Sequence, residues 1–242
     1  MTILVVNDDG IYSEGIKALA DFLSEKHKVI VVAPDGNRSA FSHSLSIFKD
    51  TVFKEVKITD KYRTFLSSGT PADCVKFALH KFSDLKIDFI CSGINCGHNL
   101  GSDTVYSGTI SACLEGNFFG VPGIAFSNYA HKNCDFSQNI SVLRRVFDKL
   151  VAISSNEYTL NVNFPNGEEK GVKLAPLGVH LYSDNYVLTG EDTYQLVGDP
   201  LEEFNDENCD VALAHSGYVT VTPIIYNRTA TKILDNLKDF EF

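Results

Sequence analysis

No apolar run in the sequence reaches the about 20 residues that a membrane-spanning helix needs, so no membrane partner is expected. No basic leader and no small-residue cleavage site precede the first apolar run, Ile3-Leu4-Val5-Val6. A secretory signal would carry both, and the expectation is a cytoplasmic protein. Positive charge is short: 21 Lys and Arg stand against 31 Asp and Glu, a formal net charge of −10. A nucleic-acid polymer needs a basic surface to neutralise its phosphates, so DNA and RNA are excluded as main partners. A small anion bound locally stays open, above all beside a metal ion. The six cysteines, Cys74, Cys91, Cys96, Cys113, Cys134 and Cys209, show no CxxC spacing. Cys96 and His98 alone are too few ligands for zinc. Cys74 and Cys113 sit inside apolar runs, so the cysteines are expected to be buried free thiols of a reducing compartment.

What is present is ordinary for a globular chain of 242 residues, with 44% apolar and 21% charged residues. Residues 3–6, "KVIVVA" at 28–33 and "IDFICS" at 87–92 are continuous Val/Ile-rich runs, the mark of strands buried on both faces of a parallel sheet. Between the first two, Ile16, Leu19, Ala20 and Leu23 share a helical face, with Ser13 placed to cap its start. "TPADCVKFALHKF" predicts a helix with Thr70 as N-cap, Pro71 at the first position, Asp73 closing a capping box, and Val75, Leu79 and Phe82 on one face. Further helices are predicted from about Ser107, closed by Gly120, and along Ile140, Leu143, Phe147 and Leu150. "GIAFS" and "YTLNVNF" add strands. Strand–helix alternation of this kind builds an α/β, three-layer, mostly parallel sheet with right-handed crossovers. After Pro165 helices thin out and "YVTVTPIIY" alternates as an edge or hairpin strand would. The expected organisation is a core over 1–165 and a smaller β-rich part over 166–242, ending in a short helix from about Thr229 to Phe240.

Ligands of open parallel sheets bind beyond the carboxyl ends of the strands. Three sequence-distant loops meet that rule. The first holds Asn7, Asp8, Asp9 and Gly10. The second, "PDGNRSAFSHSLS", holds Asp35, Asn37, Arg38, Ser39, Ser42 and His43. The third, after "IDFICS", holds Asn95, Asn99, Asp103, Ser107 and Thr109. Each alone has a plain reading: Asp-Gly turns chains, and polar loops are solvated. Together they supply two carboxylates with amide and hydroxyl oxygens, a hard donor set suited to Mg²⁺, Mn²⁺ or Ca²⁺. A divalent ion would also relieve the repulsion between the adjacent Asp8 and Asp9. "YSGT" opens a helix with free N–H groups at Gly108 and Thr109, which suits phosphate. Metal facing such a helix start is the equipment of metal-assisted phosphate ester hydrolysis.

Other classes fail on the letters. "NDDGIYSEG" lacks the G-x-G-x-x-G of a dinucleotide-binding domain. An aspartyl-phosphate phosphatase wants Asp two residues after Asp8, where Gly10 stands. A receiver domain wants Asp and Lys at later strand ends, where Asn95 and Asn128 stand. A non-catalytic nucleotide sensor remains as the alternative. The segment 183–196, "SDNYVLTGEDTYQL", is open between a substrate-side loop and a plain surface loop.

"ILVVNDDGIYSEGI", "VAPDGNRSAFSHSLS", "SSGTPADCV", "SGINCGHNLGSDTVYSGTISACLEG", "LNVNFP" and "GYVTVTP" together resemble the successive signatures of the SurE family of metal-dependent nucleoside monophosphate phosphatases, over residues 3–223. The resemblance implies a Rossmann-like core with a smaller C-terminal part. It implies one divalent cation per subunit, Mg²⁺ or Mn²⁺ with Ca²⁺ as a substitute, on Asp8, Asp9, Ser39 and Asn95. Asn99, Ser107, Gly108 and Thr109 become phosphate-site residues, and Asp8 or Asp9 the base for the attacking water. The implied substrates are nucleoside 5′-monophosphates, with 3′-monophosphates and short polyphosphate beside them. The implied assembly is a homodimer or homotetramer through the C-terminal part. One departure stands out: where the family usually has Gly after the Ser of "NRS", this chain has Ala40. A Cβ restricts that turn, which bears on loop geometry rather than on ligand identity.

Overall fold

The structure, a computed structural model, describes residues 1–130, 134–179, 182–199, 201, 206–236 and 238. Its centre is a stack of parallel strands: β1 (Thr2–Val6), β2 (Lys28–Pro34), β4 (Arg63–Ser67), β5 (Phe89–Cys96), β6 (Gly123–Asn128) and β7 (Thr159–Asn163). Successive residues of a strand face opposite sides. Ile3 and Val5 therefore enter one core, and Leu4 and Val6 the other. Helices α1 (Glu14–Ser24) and α4 (Ser137–Ala152) cover the first face through Ile16, Leu19, Ala20, Leu23, Leu143, Phe147 and Leu150. Helices α2 (Pro71–Lys81) and α3 (Gly108–Phe118) cover the second through Cys74, Val75, Ala78, Ile110 and Leu114. Ile140 and Leu79, expected on the buried stripes, lie only partly buried at their edges.

The capping box of α2 forms as expected: Thr70 Oγ1 accepts from the Asp73 N–H at 3.2 Å, and the Asp73 carboxylate accepts from the Thr70 N–H at 2.9 Å. Ser13 stands at the N-cap of α1 but makes no capping bond. Its hydroxyl oxygen instead accepts from Asn7 Nδ2 at 2.8 Å.

The full sheet has nine strands in the order β3-β4-β2-β1-β5-β6-β7-β11-β8. β3 (Phe53–Val56) and β4 escape the sequence pattern because "FKEV" and "RTFLS" are short and half polar; β3 is an exposed, antiparallel edge. β11 (Val219–Ile224), expected at an edge or in a hairpin, lies inside the sheet between β7 and β8 (Val172–Leu174). Its alternating Val and Thr imitate a half-wet strand, yet Val219 to Thr222 are all buried. β9 (Asn185–Gly190) and β10 (Thr193–Val197) turn the segment 183–196 into a separate antiparallel hairpin, exposed along its whole length. A short α5 (Asp210–His215) packs before β11, and α6 (Thr231–Asn236) buries no residue. The rest of the expected terminal helix, 237 and 239–240, lies outside the described residues.

The cysteine expectation needs a correction. Cys74, Cys91, Cys113 and Cys209 are buried free thiols, but Cys96 and Cys134 form a disulfide. They are 38 residues apart in sequence. Spacing gave no hint of the pair; the pairing of β5 with β6 brings the last residue of β5, Cys96, beside the segment that follows β6.

The chain runs β1–α1–β2 to one side of β1 and returns after α2 to β5 on the other side. That reversal opens a crevice beyond the carboxyl ends of β1 and β5, where α/β sheets bind ligands.

Candidate active site

Asn7, fully buried, builds the turn that ends β1. Its Nδ2 donates to the Gly10 carbonyl at 2.9 Å, and its Oδ1 accepts from the Gly10 N–H at 3.3 Å. Gly10 has φ 102°, which L side chains rarely adopt, and a Cβ there would stand 3.1 Å from the Gly36 carbonyl carbon. The first two loops therefore touch through glycine backbone.

The turn aims Asp8 into the crevice at 3% exposure. Burial, and secondarily the neighbouring Asp9, raise its pKa to about 6, against the hydrogen bond from Thr109. Asp9 is raised by burial too, partly offset by the Cys96 N–H that donates to its Oδ2 at 3.0 Å. Among the described residues, no Lys, Arg or His forms an ion pair with either carboxylate. A buried acid beside a partly buried one, without counter-charge, is costly unless a cation joins them.

The amino end of α3 lies directly against Asp8. Thr109 Oγ1 donates to Asp8 Oδ1 at 2.6 Å. Gly108 comes so close that a Cβ would fall 2.9 Å from Asp8 Oδ2. Ser107 is the N-cap, its hydroxyl oxygen accepting from the Ile110 N–H at 3.2 Å. Capping and an outward hydroxyl proton are compatible. Asn99 is buried and held on several atoms: its N–H donates to Asn163 Oδ1 at 2.8 Å, its Nδ2 to Ser127 Oγ at 2.8 Å, and its carbonyl accepts from Asn161 and Asn163. These bonds place Asn99 over the ends of β6 and β7.

Asn95 lies at the end of β5, after an irregularity in the strand rather than in the loop that the sequence implied. Its Nδ2 donates to the Gly97 carbonyl at 2.8 Å, so the amide oxygen is the atom it has to offer a cation. Its neighbour Cys96 is the residue bonded to Asp9. Ser39 is exposed on the second loop. The loop is tied to the site one residue earlier, where the Arg38 N–H donates to the Asp8 carbonyl at 2.7 Å. Ala40, the departure noted above, adopts φ 60°, the left-handed conformation that suits glycine.

Of the residues that hold these groups in place, Asn7 and Arg38 were named from sequence only as members of their loops, and Ser127, Asn161 and Asn163 were not singled out. Asn161 and Asn163 had a signal: two asparagines two apart in a strand whose residues are all buried must satisfy each other or a loop. Arg38 and Cys96 act through backbone N–H groups, which leave no mark in a sequence. A cavity of about 580 Å³ at Lys28 to Ile30 and Tyr62 to Thr64 lies at the opposite ends of β2 and β4 and takes no part here.

Comparison with known proteins identifies the family. The family described as "Survival protein SurE" matches residues 3–184. The 5′-nucleotidase SurE of Pseudothermotoga lettingae is 37% identical over 246 residues, covering 100% of this chain and 95% of the relative. That of Petrotoga mobilis is 40% identical, covering 99% of each. The crystal structure of the SurE protein from Aquifex aeolicus superposes with a TM-score of 0.84 at 36% identity, over 98% of each chain. Matches of this extent establish that the chain belongs to the SurE family.

Proposed function

We propose that the protein is a divalent-cation-dependent phosphomonoesterase releasing phosphate from nucleoside 5′-monophosphates, and also from 3′-monophosphates and short polyphosphate. Its relatives' name, 5′-nucleotidase, supports the first substrate class. The observation that carries the reading is the buried Asp8 beside the partly buried Asp9, neither in an ion pair with a described Lys, Arg or His, set against the amino end of α3.

The donors fit a hard cation. Asp8, Asp9, Ser39 and Asn95 offer oxygen only, which suits Mg²⁺ or Mn²⁺ and accepts Ca²⁺. Cys96, tied to Cys134, is no thiolate ligand. One bound ion per subunit supplies Lewis acidity toward a phosphate oxygen and a more acidic water. The chain's own groups do the rest. The Gly108 and Thr109 N–H groups, the Ser107 hydroxyl and the second N–H of the Asn99 amide present donors to phosphate oxygens. Thr109 Oγ1, already committed to Asp8, keeps that carboxylate oriented. Asp8 and Asp9, both raised toward neutrality by burial, are the bases within the site for the proton of an attacking water.

The exposed hairpin β9–β10, with Tyr186, Leu188, Tyr194 and Leu196 in solvent, and α6, with Ile233 and Leu234 exposed, support a homodimer or homotetramer through the C-terminal part. No described helix is long and apolar enough to cross a membrane. A cytoplasmic location is proposed on the four free buried cysteines, with the Cys96–Cys134 disulfide as the feature that runs against it.

The test is phosphate release from a nucleotide panel with Mg²⁺, Mn²⁺ or chelator, for the wild type and Asp9→Asn. Chelation and the substitution are each expected to cut release by about 100-fold or more. Release that survives both would sink the mechanism. Nucleotide binding without turnover under every cation would make the protein a sensor.

A further inference from the structure

α3 carries a carboxylate that its packing does not require. Glu115 is 3% exposed in the helix wall that faces α2. Both of its oxygens are engaged: Oε2 with His43 Nε2 at 2.8 Å, and Oε1 with Lys76 Nζ at 2.7 Å. Burial works against the charge, but His43 and Lys76 outweigh it and hold the carboxyl below its ordinary range. An apolar residue would pack α2 on α3 at no such cost. What an apolar residue would not do is reach the second loop.

Other polar bonds hold the ends of that loop: the Arg38 guanidinium donates to the Asp35 carboxylate at 2.7 Å and to the Ser68 carbonyl at 3.3 Å, Thr70 Oγ1 donates to the Ser44 carbonyl at 2.7 Å, and the Ser46 N–H donates to the Asp73 carboxylate at 3.2 Å. Ser39, Ala40 and Phe41 are exposed, so no apolar burial fixes them. Ala40 and Ser42 both have positive φ, 60° and 55°, conformations that persist only when their surroundings enforce them. The attachments are polar. On one side of Ser39 the Arg38 N–H donates to the Asp8 carbonyl at 2.7 Å. On the other, the Ser42 N–H and hydroxyl donate to the Tyr106 and Val105 carbonyls at 3.0 and 2.6 Å, and His43 reaches Glu115. His43 also stacks on Phe118, with ring centroids 5.9 Å apart. Glu115 belongs to the helix whose amino end touches Asp8.

We infer that His43 and Glu115 are a positioning pair that sets Ser39 against Asp8 and Asp9, tying the cation loop to the phosphate helix. The inference rests on the cation reading above and adds residues to it. Neither residue touches the reacting atoms. Lys76 pairs with the same carboxylate but lies on α2, outside the loop. It therefore separates positioning from plain stability.

The experiment compares His43→Ala with Lys76→Met. Each removes one partner of the same carboxylate, so both lower the melting temperature. Hydrogen exchange of the 36–42 amides is followed in cation-free protein, and Mn²⁺ affinity by calorimetry. His43→Ala is expected to speed loop exchange and to weaken Mn²⁺ by about tenfold or more. Lys76→Met is expected to leave both within about twofold. His43→Gln, which keeps a donor toward Oε2, is expected to recover most of the affinity. Equal effects of the two first variants, or none from either, would overturn the pair. A wild type that takes up no Mn²⁺ would overturn the cation reading instead, and loop exchange would still decide whether His43 holds the loop.

Discussion

Asp8 gains its character from burial. Its pKa of about 6 in the folded chain lies above the ordinary 3.8, so the fold holds that proton more tightly than the unfolded chain does. The resulting stability is fully present below the unfolded value and is lost as pH rises through 6. At pH 7.5 without cation, the ionised side chain costs about 3 kcal/mol. Asp8→Asn is therefore expected to melt higher than the wild type at pH 7.5 in chelator, with the gap closing toward pH 4, while its phosphate release falls to background. Calorimetry across that range checks it, and a variant that melts lower throughout would contradict the assignment. Saturating Mg²⁺ or Mn²⁺ should raise the wild-type midpoint, by about 2.7 kcal/mol at one hundred times Kd, and leave Asp8→Asn unmoved. Ala40 gives a second residue-scale outcome. At φ 60° its Cβ is strained, and Ala40→Gly should stabilise the fold by up to about 1 kcal/mol once the added freedom of the unfolded chain is counted. The acids and the Ala40 departure were legible as letters. Their burial and backbone angle were not, because both are set by residues far away in sequence.

Close approach between elements positions the site. α3 meets the end of β1 through Gly108, where a Cβ would stand 2.9 Å from Asp8. Gly108→Ala should push the helix start off the carboxylate and lower phosphate release more than it lowers the melting temperature, which assays beside a thermal scan can separate. α1 meets β5 through Gly15, where a Cβ would fall 1.9 Å from the Ile94 carbonyl oxygen. Gly15→Ala should destabilise by about 1–3 kcal/mol through overpacking next to Asn95, measurable by urea denaturation. Elements with strong periodicity, α1, α2, α4 and the buried strands β1, β2 and β5, were legible in the sequence. β3 and β4 were not, since a short strand flanked by turns has too few residues to show a period. Ser13 was misassigned as a side-chain cap because Asn7, in the turn that ends β1, competes for its hydroxyl.

At the scale of the whole molecule, the exposed hairpin β9–β10 forms a sheet of its own, pairing with no other strand among the described residues. A two-stranded ribbon alone in water is marginal. Replacing residues 184–198 by a short Gly-Ser turn is therefore expected to shift the protein to monomer in light scattering, with the central sheet intact by circular dichroism. An unchanged oligomer would place the interface elsewhere. β8 and β11, both beyond residue 165, complete the main sheet beside β7, so this excision removes the projection without touching the core.

The sequence by itself determined the alternation of strands and helices, the two faces of each, and the kinds of oxygen donor gathered at three strand ends. Such features are local: periodicity, capping and turn chemistry act within a few residues. Only the tertiary structure decided the strand order that sets β1 beside β5, the interior place of β11, the Cys96–Cys134 bond, and the desolvation that raises Asp8 and Asp9. Each of these depends on a pairing between distant segments, and residues that meet only after folding leave no period in the chain to read.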